Sequence, residues 1–241
     1  MNKAIRSVRR SSVIRLCAAV LMLIAGAAIL FVAAPRTIAA VVSGAGEPII
    51  RQINKHEDVS AQDLQTVIDA QRRGLFWAKD ADMEMKLGLA HMLLAEKQAV
   101  NDPARAIHLE QARQALRTSV ARAPANPYPW TLLAYTEFLI TAKWAEPAIA
   151  ALRMSILTGP HEPRMVWSRL RLSLIAWDSL GEQDRDLVME QLRYAWELEP
   201  DTVVKLVQNL NATNLLRAAL IADKEASAEL EDRLRQANPD S

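Results

Sequence analysis

Residues 112–124 (ARQALRTSVARAP), 148–160 (AIAALRMSILTGP) and 188–200 (VMEQLRYAWELEP) repeat one pattern. Each has a small or apolar residue, Leu four later, a small residue three after that and Pro five further on: Ala112, Leu116, Ser119, Pro124; Ala148, Leu152, Ser155, Pro160; Val188, Leu192, Ala195, Pro200. Positions i, i+4 and i+7 share one face of an α-helix, and small side chains there let a neighbouring helix come close. The Pro then ends that helix, because it has no amide proton and disfavours helical backbone in the residue before it. The three prolines are 36 and 40 residues apart, which leaves room for two helices and a short connection in each unit. A repeat of that length implies stacked helical hairpins, each burying its apolar face on the next.

The signature resembles helix B of the tetratricopeptide repeat (TPR) family, and the residues between the signatures resemble its helix A. Trp130, Leu133 and Ala134 follow Pro124 at the family's Trp-Leu-Gly spacing, and Leu87 with Gly88 match the Leu-Gly pair one unit earlier. The resemblance covers about residues 80–200. It departs from the family in its longer units and in the 24 residues separating Gly88 from Ala112. It implies an all-α fold in which the first helices line a concave surface that binds other proteins. The stretch LRMSILTGPHEPRMVWSRLRLSLIAWDSL, residues 152–180, also resembles membrane-anchored repeat proteins of bacterial exopolysaccharide and envelope gene clusters.

Capping residues mark where the helices begin. Ser60 with Asp63 reads as a capping box opening a helix over Leu64, Val67, Ile68 and Leu75, and Asp102-Pro103 supplies an N-cap and first position before residues 106–121. Further helices are expected near 80–98, 127–142, 145–157, 163–179, 184–198 and 201–221, with a charged helix near 224–236. The last two are expected to cap the stack, since an open terminal repeat leaves an apolar face in water.

Ahead of the repeats, Leu16 to Ala34 (LCAAVLMLIAGAAILFVAA) runs 19 residues without a charge, about the thickness of a bilayer's hydrocarbon core as a helix. Lys3, Arg6, Arg9, Arg10 and Arg15 precede it and only Arg36 closely follows it. By the positive-inside rule this keeps the N-terminus cytoplasmic and sends the rest of the chain across the membrane. A cleaved signal peptide is the competing reading, with a small-residue site at Ser43, Gly44 and Ala45, although signal cores are usually shorter. The expected organisation is a basic cytoplasmic tail (1–15), a transmembrane helix (16–34), a linker (35–58) containing two prolines and two glycines between Pro35 and Pro48, and a repeat domain (59–241). The fold class is therefore all-α: an N-terminal transmembrane helix followed by a TPR-like helical-hairpin solenoid. Ala-rich, Arg-over-Lys usage suggests a bacterial inner-membrane protein whose C-terminal domain faces the periplasm.

Composition narrows the function classes. The chain is 51% hydrophobic with 7 glycines, enough to bury a core and too apolar for disorder. Beyond the basic tail it carries 24 basic and 28 acidic residues, so nothing gives nucleic acid an electrostatic footprint. The single cysteine, Cys17, excludes an internal disulfide and reads as a small buried hydrophobe. His56, His91, His108 and His161 lack metal-ligand spacing, and His91 reads as a packed helical residue while His161 falls in an inter-repeat turn. No nucleophile elbow, phosphate loop or dinucleotide fingerprint occurs, so no cofactor or catalytic residue is expected.

The candidate sites are therefore surfaces. Tyr128, Tyr135 and Phe138 fall in a first helix and are groove candidates, whereas Trp130, Trp167 and Trp177 read mainly as core. In the helix after Pro163, Arg164 and Arg171 lie seven apart with Ser168 between them, beside an apolar stripe of Trp167, Leu170, Leu174 and Trp177. Two guanidinium groups so placed suit a carboxylate-bearing peptide or an anionic glycan. The expected partners are envelope proteins, together with the lipid bilayer through Leu16 to Ala34. Asn211-Ala212-Thr213 is a glycosylation sequon, meaningful only in a eukaryotic secretory setting. The alternative function is a cell-wall glycan-acting enzyme or enzyme subunit, which requires two inward-facing carboxylates about 5–10 Å apart in a cleft.

Overall fold

The computed structural model describes the backbone of residues 2–237 and the side chains of residues 19–236. Twelve α-helices follow one another with no strand among the described residues. They are α1 (Asn2–Ser43), α2 (Glu47–Asn54), α3 (Ala61–Trp77), α4 (Ala81–Glu96), α5 (Pro103–Arg122), α6 (Pro127–Thr141), α7 (Glu146–Thr158), α8 (Pro163–Ala176), α9 (Glu182–Leu198), α10 (Pro200–Asn209), α11 (Thr213–Leu220) and α12 (Lys224–Ala237). One 3-10 turn joins α1 to α2 and another, Trp177–Ser179, ends α8.

The caps are where the sequence places them. Ser60 Oγ accepts from the Asp63 amide at 3.1 Å and Asp63 Oδ2 accepts from the Ser60 amide at 3.0 Å, the reciprocal pair of a capping box. Asp102 Oδ1 accepts from the Ala104 amide at 2.8 Å, with Pro103 as the first helical residue. The same cap-then-proline arrangement opens α6 through Asn126 and Pro127.

α4 and α5 form one hairpin, α6 and α7 the next, and α8 pairs with α9. All nine signature positions ahead of the prolines are buried, from Ala112, Leu116 and Ser119 to Val188, Leu192 and Ala195. The signature serine does the same job twice: Ser119 Oγ donates to the first carbonyl of α4, Ala81 O, at 2.7 Å, and Ser155 Oγ donates to the first carbonyl of α6, Pro127 O, at 3.1 Å. Gly88 lets α4 and α5 close on each other, since a Cβ there would lie 2.6 Å from Leu116 Cγ. This shared wiring of hairpins, built on the signature residues, is what makes the stack TPR-like.

Beyond Pro200 one long helix is expected, and the structure has two. The chain breaks over Leu210–Ala212, where Asn211 adopts a left-handed backbone (φ 54°) and the Ala212 amide donates to Val207 O at 2.7 Å. Asn enters that conformation more readily than other residues with a side chain. α10, α11 and α12 then close the stack over α9, with Val203, Val207, Leu216 and Leu230 buried against Leu192 and Trp196.

The stretch 35–58, whose prolines and glycines suggest a partly membrane-hugging linker, is mostly helical. α1 continues through Pro35 to Ser43, and α2 follows after three residues. Thr37 Oγ1 donates to Ala33 O at 3.1 Å in the turn that Pro35 interrupts, the local side-chain bond that hydroxyl residues offer a helix. The last turns of α1 pack on α3, burying Ala39 and Ser43. Before them, residues such as Leu21, Leu30 and Phe31 are largely exposed, in a helix long and apolar enough to cross a membrane. The side chain of Cys17 lies outside the described residues.

Candidate interaction surfaces

Tyr135 and Phe138 are three apart on α6, so they share a face, and their rings stack with centroids 6.4 Å apart. Ala142 caps α6 in a left-handed conformation (φ 53°) and turns the chain so that Trp144 lies over Phe138, centroids 4.8 Å apart and 22° from parallel. The result is a row of three rings along α6 and its following turn. Tyr135 Oη donates to Glu96 Oε1 at 2.6 Å, tying the row to the end of α4. Partial burial, reinforced by that carboxylate, pushes the Tyr135 hydroxyl up to about 12, so it stays a donor at any ordinary pH. Trp144 is the member of the row that sequence spacing missed, because its place depends on an Ala in a conformation normally taken by Gly or Asn.

Tyr128 is half-buried at the opposite end of α6, one i+7 step from Tyr135 on the same face. Arg164 and Arg171 are both exposed on α8, which packs beside α6. Neither makes an ion pair or a side-chain hydrogen bond among the described residues, and no such contact joins them to the aromatic row. The structure therefore puts rings on one helix and two uncommitted guanidinium groups on its neighbour.

The buried stripe of α8 is rotated from the one the tryptophans suggest. It runs through Met165, Val166, Arg169, Leu170, Ser173 and Leu174, while Trp167 and Trp177 are half-buried at its flanks. Two rings of that size fit the edge of a closely packed stripe better than its centre, which Ser173 and Ala176 keep narrow. Trp130 is also half-buried against the core and donates its indole N–H to Pro124 O at 2.8 Å.

Arg169 is the functional-looking residue that the pattern conceals. It is fully buried, and its Nη1 donates to Ser155 O at 2.9 Å, in the last turn of α7, and to Gly159 O at 2.6 Å, a carbonyl that also accepts from the Glu162 amide at 3.3 Å, while Nε and Nη2 find no partner among the described residues. Burial pulls the guanidinium down to about 10, only partly offset by the carboxylate of Glu162. It remains a cation and clamps the α7–α8 turn, where Gln191 Nε2 donates to Pro160 O at 2.7 Å and Tyr194 Oη donates to His161 O at 3.0 Å. Its place on the buried stripe, facing the small Ser155 and Gly159, is the signal that could have found it.

Two carboxylates are buried among the described residues, and each is already held. Glu137 on α6 accepts from Arg117 Nη2 at 2.8 Å, and Asp184 on α9 accepts from Arg153 Nε at 2.5 Å and Nη2 at 2.8 Å. Among the described residues, no group of three or more His, Cys, Asp or Glu is arranged to hold a metal ion. Two open clefts of about 730 and 700 Å3 lie over α10–α12, around Arg217 and Glu231, and along α5, around Arg113 and Arg117.

His91 is buried on α4, as its sequence position suggests. Arg72 Nη2 lies 3.3 Å from His91 Nε2 and His108 Nδ1 lies 3.1 Å from His91 Nδ1. Arginine can only donate, so Nε2 of neutral His91 accepts, and Nδ1 carries the proton toward His108. Burial, then the charges of Arg72 and His108, push His91 down to about 4.

Neither known protein families nor curated proteins match the sequence. Among solved structures the chain is similar to a thermophilic TPR protein of Thermus thermophilus, with 15% identity and a TM-score of 0.43, over 72% of this chain and 91% of that one.

Proposed function

We propose that the protein is a membrane-anchored TPR-like scaffold that gathers other proteins at the membrane and carries out no chemistry itself. The observation that carries this reading is the continuity of α1. Its exposed apolar stretch runs without a break into turns that are buried on α3, so whatever holds the helix also holds the repeat stack. In a bacterial inner membrane the basic tail stays cytoplasmic and the stack faces the periplasm. The partners are other envelope proteins, with polysaccharide export and envelope assembly as the processes the sequence resemblance favours.

Recognition uses the ring row of Tyr135, Phe138 and Trp144 together with Arg164 and Arg171 on the adjacent helix. Rings anchor a partner's apolar side chains, and uncommitted guanidinium groups take its carboxylates in two-pronged hydrogen bonds. Both buried carboxylates are neutralised by arginine, which suits a structural role for each.

Mild crosslinking and purification of the full-length protein from membranes tests the proposal. Recovery of one dominant envelope protein, lost in Arg164→Glu/Arg171→Glu, is the expected result. Both arginines are exposed and unbonded, so that variant leaves the fold intact. Equal recovery from wild type and variant would exclude these arginines from the contact, and recovery of no protein partner would overturn the scaffold reading.

A further inference from the structure

The end of α3 carries two exposed aromatic residues that nothing in the fold explains. Phe76 is 83% exposed and Trp77 46% exposed, and their rings meet edge to face at 5.7 Å. Arg73 lies three and four residues before them, so all three share one face of the last turn. Lys79 follows in the turn to α4 and is exposed.

The register between α1 and α3 locates this pair. A Cβ on Gly46 would touch Val67 at 3.4 Å, and one on Gly74 would touch Ala39 O at 3.2 Å and Ser43 Cβ at 3.0 Å. Moving back from Gly46, in the turn after α1, to Ala39 on α1 thus matches moving forward along α3 from Val67 to Gly74, and the two helices run antiparallel. Three residues more bring Trp77 level with Arg36, the first charge after the apolar stretch that ends at Ala34.

Charge follows the same geography. Arg36, Arg73 and Lys79 make no ion pair or side-chain hydrogen bond among the described residues. The nearby acids are occupied: Asp80 Oδ1 caps α4 by accepting from the Asp82 and Met83 amides at 2.9 Å, and Asp82 pairs with Lys86 at 2.8 Å. The cations at this end are therefore uncommitted, while Asp82 is paired and Asp80 is turned to the α4 amides.

We infer that Phe76, Trp77, Arg73 and Lys79 form a membrane-surface foot that rests in the headgroup layer of the bilayer α1 crosses, with the rings at the hydrocarbon boundary and the cations on lipid phosphates. Trp at that depth has its amphipathic ring half in apolar and half in hydrated surroundings, and Lys or Arg beside an anionic surface is drawn to its phosphates. The foot gives the anchor a second point of contact about one helix diameter from α1, which fixes how the repeat stack is rotated and tilted over the membrane. This inference rests on the reading of α1 as a membrane span.

The test uses full-length protein in phosphatidylcholine–phosphatidylglycerol vesicles, with and without lipids brominated near the headgroup end of the chains. Carbonate-resistant flotation with the vesicles first reports on α1. The foot then predicts bromine quenching of tryptophan emission in the wild type. That quenching is lost in Trp77→Phe, retained in Trp167→Phe, and weakened on phosphatidylglycerol vesicles in Arg73→Glu/Lys79→Glu. Vesicle-bound protein whose quenching is the same in wild type and Trp77→Phe would overturn the foot and leave the anchor standing. Crosslinks between copies through position 77, with no quenching, would reassign the patch to self-association and overturn it too. Protein extracted by carbonate would remove the anchor reading, and the foot with it.

Discussion

Acid should loosen the α3–α5 packing through one side chain, His91. In its neutral form this residue accepts from Arg72 on α3 and donates to His108 on α5, in a site that admits almost no water. A second proton would have to sit on Nε2, where it faces the arginine N–H. The folded protein holds His91 down at about 4 whereas the unfolded chain titrates near the ordinary histidine value of 6.5, so between those values the unfolded state binds more protons and stability rises with pH. The stability is therefore complete above pH 6.5 and drains away as pH falls toward 4. At 1.36 kcal/mol per pH unit the loss amounts to about 3 kcal/mol. Urea unfolding of the detergent-solubilised protein at about pH 7.5 and about pH 4.5, for wild type and His91→Gln, isolates this residue from the carboxylates that titrate alongside it. Wild type should lose about 2–3 kcal/mol more than the variant over that interval. Equal losses in the two proteins would refute the reasoning.

Gly88→Val should destabilise by about 2 kcal/mol, because even the first added carbon would lie 2.6 Å from the fully buried Leu116, and the midpoint of thermal unfolding reads it directly. Asn211→Gly should be close to neutral, whereas Asn211→Val should cost about 1–2 kcal/mol by forcing a β-branched residue into the left-handed region, again measured by thermal unfolding. Arg169→Ala should cost about 3 kcal/mol, since it opens a cavity and strands the Ser155 carbonyl at the end of α7, and amide hydrogen exchange should show the loss centred on the α7–α8 turn.

The repeat stack was legible in the sequence because its controlling residues are local. Positions i, i+4 and i+7 with a following Pro decide which face is buried and where each second helix stops, and all nine of those positions are buried. Ser60, Asp102 and their partners act within three residues, so the starts of α3 and α5 were readable too. What escaped is non-local or breaks a residue's usual habit. Arg169 occupies an apolar-stripe position because Nη1 reaches two carbonyls at the end of the preceding helix, and no spacing within α8 reveals that. Asn211 ends a helix by its backbone conformation, which its residue type permits but does not dictate. The burial of Ala39 and Ser43 depends on Gly74, about three dozen residues downstream, so the prolines and glycines of the stretch 35–58 do not reveal that most of it is helical.

Of the proposed recognition surface, the ring pair on α6 was legible from its i, i+3 spacing, but the third ring and the tie to Glu96 needed the fold. Arg164 and Arg171 stood out as a polar stripe because each faces away from the buried stripe of α8. That α8 packs beside α6, the helix that carries the ring pair, is set by the stacking of the hairpins, which no local pattern encodes.

The most direct test of the scaffold account is site-specific photocrosslinking in intact membranes, with a photoreactive amino acid replacing Phe138 in one protein and exposed Gln114 on α5 in another. The account predicts a discrete adduct with a second, different protein from position 138 and none from position 114. Equal labelling from both positions, or adducts from position 138 with lipid alone, would contradict it.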